Sequence, residues 1–119
     1  MDTTIQHLTD ETYAEAAAQP GIMVIDFWAS WCGPCCAMAP QFECAAELRP
    51  QYRFAKVDVD AEPVIAGRYA IRSIPTVMVL RDGEPVAAQD GVIGAEQLVE
   101  ALDRIAATPA VPPADRKAA

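Results

Sequence analysis

The chain has 119 residues, 17 of them acidic and 9 basic, which gives a formal net charge of −8 at pH 7. This length predicts one domain with a hydrophobic core of its own, and because Lys and Arg are scattered singly, the composition argues against nucleic-acid binding. The polar, acidic start MDTTIQHLTDE, together with the lack of any apolar run as long as a membrane span, predicts a cytoplasmic protein without a membrane attachment.

Strands and helices alternate along the predicted chain. Strands are indicated by short β-branched or aromatic runs between turn residues, and helices by capping residues and apolar periodicity. In chain order the elements are a helix 10–18 after Thr9 as N-cap, a strand 22–28, a helix 33–48, a strand 53–60, a short helix from Glu62-Pro63, strands 74–80 and 84–89, and a helix 95–106.

The order of these elements predicts an α/β sandwich with a mixed sheet. We expect the first three strands to run roughly parallel, with 22–28 and 74–80 buried on both faces, and the fourth to return antiparallel after the hairpin signal RDG. From Ala107 on, ATPAVPPADRKAA lacks periodicity, which predicts a domain over 1–106 and a disordered Pro/Ala-rich tail over 107–119.

The pair Cys32 and Cys35 follows the strand 22–28 and opens the helix 33–48. Unpaired backbone N–H groups and the helix dipole at that end favour the thiolate form of a cysteine, and a spacing of three residues allows a disulfide after a small adjustment of the first turn. Gly33 permits the tight turn, and Pro34 has no N–H to leave unpaired. In a reducing compartment such a pair indicates redox catalysis or a metal site rather than a permanent crosslink.

Half of a zinc site is the alternative reading of this pair. It needs four ligands, but the sequence has no second Cys-x-x-Cys, and its one histidine, His7, is far from the pair along the chain. We therefore favour the redox reading and expect neither a metal nor a bound cofactor.

The segments VIDFWASWCGPC, AKVDVD, IRSIPTVMVLRDGEPV and DGVIGAEQL, in this order and spacing, resemble the thioredoxin family over about residues 5 to 106. The resemblance implies a thioredoxin fold, with a mixed sheet of about five strands flanked by about four helices. It also implies protein-disulfide reduction by thiol–disulfide exchange, in which Cys32 attacks the substrate and Cys35 resolves the mixed disulfide. Cys32 is expected to project to solvent, and Cys35 to lie one turn further in.

Asp26, inside the apolar run MVIDFWA, matches the buried aspartate of the family. Burial predicts a raised pKa, and the resemblance implies that this carboxyl group helps to deprotonate Cys35. The alternative is a solvent-facing position at a strand edge. Lys56 resembles the family's lysine near this aspartate, and an ordinary strand-edge lysine is the equally open reading.

The resemblance also implies a shallow substrate groove beside Cys32, in which Ile74 pairs with an extended substrate segment. Pro75 matches the family's cis-proline, although the sequence alone would make it a strand start. The expected substrate-binding residues are Trp31, Gly33, Pro34, Ile74, Pro75 and Gly91.

Three residues depart from the family pattern. Cys36 and Cys44 fall on the face of the helix 33–48 opposite its core stripe, so both thiols should be exposed and too far apart to bridge each other. Cys36 is either a tolerated surface cysteine or an alternative resolving or redox-sensing thiol. Asp90 puts a charge before Gly91, where an apolar residue is common, and should alter the choice of partner.

The expected partners are disulfide-containing proteins and an NADPH-dependent flavoprotein thioredoxin reductase, and the chain is expected to be a monomer. A disulfide oxidant or isomerase is the other enzymatic reading, which Gly33-Pro34 and the missing export signal disfavour. A redox-independent subunit is the non-enzymatic reading, which the retained cysteines and Asp26 disfavour.

Overall fold

The computed structural model describes residues 5–109 and contains one five-stranded sheet with helices on both faces. The strands are β1 (Ile5–His7), β2 (Ile22–Trp28), β3 (Arg53–Asp58), β4 (Thr76–Arg81) and β5 (Glu84–Asp90). The helices are α1 (Tyr13–Ala17), α2 (Gly33–Leu48), α3 (Pro63–Arg68) and α4 (Ala95–Ala107). The sheet order is β1-β3-β2-β4-β5, and the expected class, a mixed sheet between helices, is confirmed.

The direction of β4 differs from the prediction. β2 pairs in parallel with β3, but it pairs antiparallel with β4, with Ile22 opposite Arg81. The pairing shows where the chain goes: the last residue of β3 lies beside the last residue of β2, and the first residue of β4 lies opposite the next-to-last residue of β2. The connection through α3, a helix that rises only about 9 Å, does not carry the chain back along the sheet. The chain therefore enters β4 at the end of the sheet where β3 stops, and the prediction of three parallel strands is wrong.

The core lies on both faces of the sheet. One cluster joins the sheet to α2 and α4 through side chains such as Met38, Phe42 and Leu102, and the other joins it to α1 and α3 through Tyr13 and Ile65. β2 and β4 are buried along almost their whole length, as predicted. The central strand β2 is thus held rigidly where it delivers the chain to the start of α2.

The first helix starts three residues later than the prediction. Thr12, not Thr9, precedes α1, because the two threonines form a turn in which each side chain accepts a hydrogen bond from the other's backbone N–H. Asp10, expected inside the helix, instead accepts hydrogen bonds from the first turn of α3. Strand β1 was not among the predicted elements, since three residues are too few for a pattern.

The other bounds agree with the prediction to within a few residues. β2 and α2 have the predicted limits. β3 ends two residues earlier than predicted, and β4 begins two residues later. β5 is one residue longer than predicted, and α4 continues to Ala107. Most of the predicted tail, residues 110–119, lies outside the described residues. In the described part of the chain, no helix is both long and apolar enough to span a membrane.

Candidate functional site

Cys32 is the N-cap residue of α2, at the end of the sheet where β2 stops. Its backbone is extended, with φ −87° and ψ 111°, and its sulfur accepts a hydrogen bond from the backbone N–H of Cys35 at 3.1 Å. Pro34, in the first turn, has no N–H that would need a partner. The helix N-terminus therefore directs a backbone donor at the Cys32 sulfur, an arrangement that favours its thiolate.

A disulfide joins Cys32 and Cys35, whose Cα atoms are 5.3 Å apart. The structure is thus the oxidised form of the pair. Both side chains are buried, Cys32 with 4% of its surface exposed and Cys35 with 5%. The expectation of a solvent-exposed Cys32 is wrong for this form, because Cys32 caps the helix rather than opening it and its sulfur is drawn against the Cys35 amide.

The segment before β4 lies directly against the disulfide. The Cys32 Sγ atom is 3.7 Å from the carbonyl oxygen of Ile74, and the Ile74–Pro75 peptide bond is cis. Gly91 donates its backbone N–H to the carbonyl oxygen of Pro75 at 2.9 Å, which joins the end of β5 to the Ile74–Pro75 segment. Chain segments that are far apart in sequence thus meet at the sulfur of Cys32.

Trp31 provides the exposed apolar surface beside the pair, with 70% of its side chain accessible. Its indole Nε1 donates to Asp60 Oδ2 at 2.7 Å, so the ring is held in one orientation. Gly33 and Pro34 are exposed next to it. Asp60 was not among the predicted site residues, although its place in the turn after β3 is a signal that could have pointed to it.

Asp26 is completely buried in the middle of β2, which rules out the solvent-facing alternative. Neither carboxylate oxygen has a hydrogen-bond partner within the described residues. Burial raises the pKa of Asp26 to about 6, and the positive charge of Lys56 opposes that rise. By strand alternation Asp26 points to the same face as Val24, the face on which α2 packs.

Lys56 lies opposite Asp26 in the parallel pairing of β2 and β3. Its Nζ atom is 5.5 Å from the centre of the Trp28 ring, within reach of a cation–π interaction. The indole N–H of Trp28 is buried without a partner in the described chain. Lys56 is therefore more than a strand-edge side chain, because its charge acts on Asp26 and its position is fixed by an aromatic ring.

Cys36 and Cys44 are free and exposed, as predicted. The Cys36 thiol lies 3.7 Å from the carbonyl oxygen of Cys32, one turn back along α2. Residues 5–109 contain no group of three or more His, Cys, Asp or Glu side chains that could hold a metal ion.

A disulfide held between two cysteines at a helix N-terminus can open and close by thiol exchange without a bound group. That is the chemistry of the thiol–disulfide oxidoreductases, and it is the class of protein that the fold and this site define.

Comparisons with known proteins narrow this class to one family. The family model described as Thioredoxin matches residues 4–104. The chain is 40% identical over 101 residues to a thioredoxin of Staphylococcus aureus, an alignment that covers 84% of this chain and 96% of that protein.

Solved structures of thioredoxins have the same fold as this chain. Chloroplastic thioredoxin z superposes with a TM-score of 0.80 at 28% identity, covering 91% of this chain and 99% of that one. Malassezia sympodialis thioredoxin superposes with a TM-score of 0.79 at 29% identity, covering 87% and 91%. The chain belongs to the thioredoxin family and is a thiol–disulfide oxidoreductase with a redox-active cysteine pair, which confirms the fold and the activity that its sequence motifs imply.

Proposed function

We propose that the chain reduces disulfides in other proteins through the Cys32–Cys35 couple, with Cys32 as the attacking thiolate. The observation that supports this most directly is the hydrogen bond from the Cys35 amide to the Cys32 sulfur. A backbone donor of this kind stabilises negative charge on Cys32, and no comparable donor is directed at Cys35 among the described hydrogen bonds.

The reaction balances within the pair and the substrate. The Cys32 thiolate attacks one sulfur of the substrate disulfide, forming a mixed disulfide and releasing the first substrate thiolate. Cys35 then attacks the Cys32 sulfur, which releases the second substrate thiolate. The substrate gains two electrons and the chain is left with the Cys32–Cys35 disulfide seen in the structure.

We assign Asp26 as the group that takes the proton from Cys35 before the second attack. Its pKa of about 6 lets it accept a proton near neutral pH, and it faces the side of the sheet on which α2 packs. Lys56 is assigned as the positioning charge that keeps this pKa from rising further. Trp31, Gly33, Pro34, Ile74, Pro75 and Gly91 are assigned to substrate binding around the Cys32 sulfur.

Return to the dithiol form needs an external reductant, and we propose an NADPH-dependent thioredoxin reductase for this step, as is general in the family. The cytoplasm is the proposed compartment. The two exposed free thiols, Cys36 and Cys44, fit a reducing environment better than an oxidising one. The site is formed within one chain, which supports action as a monomer.

The first test shows which cysteine attacks the substrate and which resolves the mixed disulfide. Cys32→Ser should lower the rate of insulin reduction in the presence of dithiothreitol to the rate of dithiothreitol alone, because the attacking sulfur is gone. Cys35→Ser should accumulate mixed disulfides on Cys32, detected by mass spectrometry after alkylation. This trap is best made together with Cys36→Ser, since Cys36 lies one turn from Cys32 and is exposed. Undiminished turnover in Cys32→Ser would overturn the assignment.

A further inference from the structure

Asp90 is the charged residue that the fold places at the edge of the proposed substrate site. It ends β5 and pairs with Thr76, the first residue of β4, which directly follows Pro75. The next residue, Gly91, is hydrogen-bonded to the carbonyl of Pro75. Since the Ile74 carbonyl is 3.7 Å from the Cys32 sulfur, Asp90 lies on the rim of the surface that a substrate must cover to reach that sulfur.

The Asp90 carboxylate lies against the Thr76 side chain. The Thr76 hydroxyl lies 3.0 Å from Asp90 Oδ1 and 2.6 Å from the carbonyl oxygen of Ser73. A hydroxyl group has one proton, and the closer acceptor is Ser73. Asp90 thus receives at most a shared hydrogen bond through one oxygen, and its second oxygen is open to a partner.

The charge of Asp90 is not balanced by an ion pair within residues 5–109. Asp90 is exposed, and the ion pairs found in residues 5–109 join Arg49 to Asp103 and Arg104 to Glu100. Arg72, on the loop before Ile74, is exposed and forms no ion pair in that same range. A partner that covers the rim would therefore meet a negative charge that no ion pair within residues 5–109 neutralises.

We propose that Asp90 determines substrate choice: it favours protein segments that carry Lys or Arg beside the attacked half-cystine and disfavours segments that carry Glu or Asp there. This inference rests on the proposed reductase function and names its substrate class. The selection acts on binding and encounter rather than on thiol exchange, because Asp90 contacts Thr76 and not the cysteine pair.

The test compares two disulfide peptides that are identical except for Lys or Glu beside one half-cystine. Each is mixed with an excess of the full chain in its dithiol form, which supplies two electrons and is itself oxidised to the Cys32–Cys35 disulfide. We measure the second-order rate constant for each peptide and take the Lys-to-Glu ratio. Asp90→Asn keeps an oxygen that can accept from Thr76 but removes the charge, and should lower the ratio by roughly threefold to tenfold at low salt. Asp90→Lys should lower it further or invert it.

Glu47→Gln is the matched control. Glu47 is exposed near the C-terminal end of α2, about 20 Å of helix rise from its start, and its neutralisation removes the same charge from the whole chain. It should leave the ratio as in the wild type. Higher salt should reduce the wild-type preference and leave that of Asp90→Asn nearly constant.

The outcomes separate this inference from the proposed function. If the wild type reduces both peptides and Cys32→Ser reduces neither, the reductase function stands. An unchanged ratio in both Asp90 variants would then overturn the role of Asp90 alone, as would an equal fall in the ratio for Glu47→Gln. If the wild type reduced neither peptide nor insulin, the proposed function itself would fail.

Discussion

At the scale of single residues, Asp26 has the largest energetic effect that we can derive. Its pKa is 3.8 in a solvated chain and about 6 in the folded one, because burial penalises the carboxylate. This difference corresponds to about 3 kcal/mol against the folded state when the group is ionised. Buried carboxyl groups with strongly shifted pKa values are concentrated at functional sites, which supports the proposed role of Asp26 in catalysis.

The pH dependence of stability should reveal this cost in the oxidised chain. Between about pH 4 and pH 6 the folded chain keeps a proton on Asp26 that the unfolded chain has lost, so this residue lowers the free energy of unfolding as pH rises. Below that window both states are protonated and the cost vanishes, and above it the cost is complete. Relative to Asp26→Asn, the wild type should therefore lose about 2.4 kcal/mol from pH 4 to pH 7, measured by urea unfolding.

Glu47→Gln serves as the control, because this exposed carboxyl should leave the pH profile parallel to that of the wild type. A difference between wild type and Asp26→Asn that stays constant with pH would contradict the raised pKa of Asp26.

Cys36 tests whether an exposed thiol near the site takes part in exchange. Its one described contact is the Cys32 carbonyl at 3.7 Å, so Cys36→Ser should leave kcat/KM for insulin and the sensitivity to peroxide unchanged. The measurement is turnover before and after peroxide treatment, with Cys44→Ser, the other free and exposed thiol, as the matched variant. A clear loss in Cys36→Ser but not in Cys44→Ser would show that Cys36 is a resolving or sensing thiol.

Residue patterns predicted the part of the site that is close in sequence, whereas Ile74, Pro75 and Gly91 were expected only from the family resemblance. Cys32, Cys35 and the exposed faces of α2 follow from helix geometry alone, and the apolar neighbours of Asp26 predicted its burial. The sequence could not reveal that the Cys32 sulfur would be covered in the oxidised form. That depends on Ile74, which lies 42 residues away in the chain.

At the scale of secondary-structure elements, Asp10 stabilises α3 from a distant part of the chain. The local N-cap of α3, Glu62, makes no side-chain capping bond, whereas Asp10 accepts hydrogen bonds from the backbone N–H groups of Val64 and Ile65 at 3.3 and 3.0 Å. Glu62 in turn accepts from the backbone N–H of Asp10 at 2.9 Å. This exchange connects the approach to α1 with the start of α3.

Asp10→Ala should lower the free energy of unfolding by about 1 kcal/mol, the usual cost of losing a helix cap. It should also speed amide hydrogen exchange at Val64 and Ile65, measured by NMR, because their acceptors are gone. Glu11→Ala is the control, since Glu11 is the exposed neighbour without a described hydrogen bond. Equal effects of the two substitutions would show that capping of α3 by Asp10 contributes nothing.

Element types were predictable where the apolar period is long, as in β2, α2 and α4. Two features were not. The direction of β4 depends on the end of the sheet at which the connection through α3 returns the chain, and the start of α1 depends on where Asp10 finds its hydrogen-bond partners. Both are properties of the assembled fold, and a local pattern of residues contains neither.

At the scale of the whole molecule, the C-terminal part of the last helix is attached to the rest at two places. Near the end of α2, Arg49 bonds Asp103 at 2.7 Å, and Tyr52 donates to the same carboxylate at 3.0 Å. At the other attachment, Arg81 of β4 donates through Nη1 to the carbonyl oxygens of Ile105 and Thr108. The contact with Thr108 lies beyond residue 106, in the segment that was predicted to belong to the Pro/Ala-rich tail.

The predicted division into a domain and a tail can be tested with two shortened chains. A chain ending after Pro109 keeps both carbonyl partners of Arg81, so its urea unfolding and its insulin reduction should match those of the full chain. A chain ending after Ala106 loses the Thr108 carbonyl and should be less stable by about 1 kcal/mol, because a charged donor loses one acceptor. Arg81→Gln in the full chain should reproduce much of this loss. Reduced stability or activity in the chain ending after Pro109 would mean that residues 110–119 belong to the folded domain.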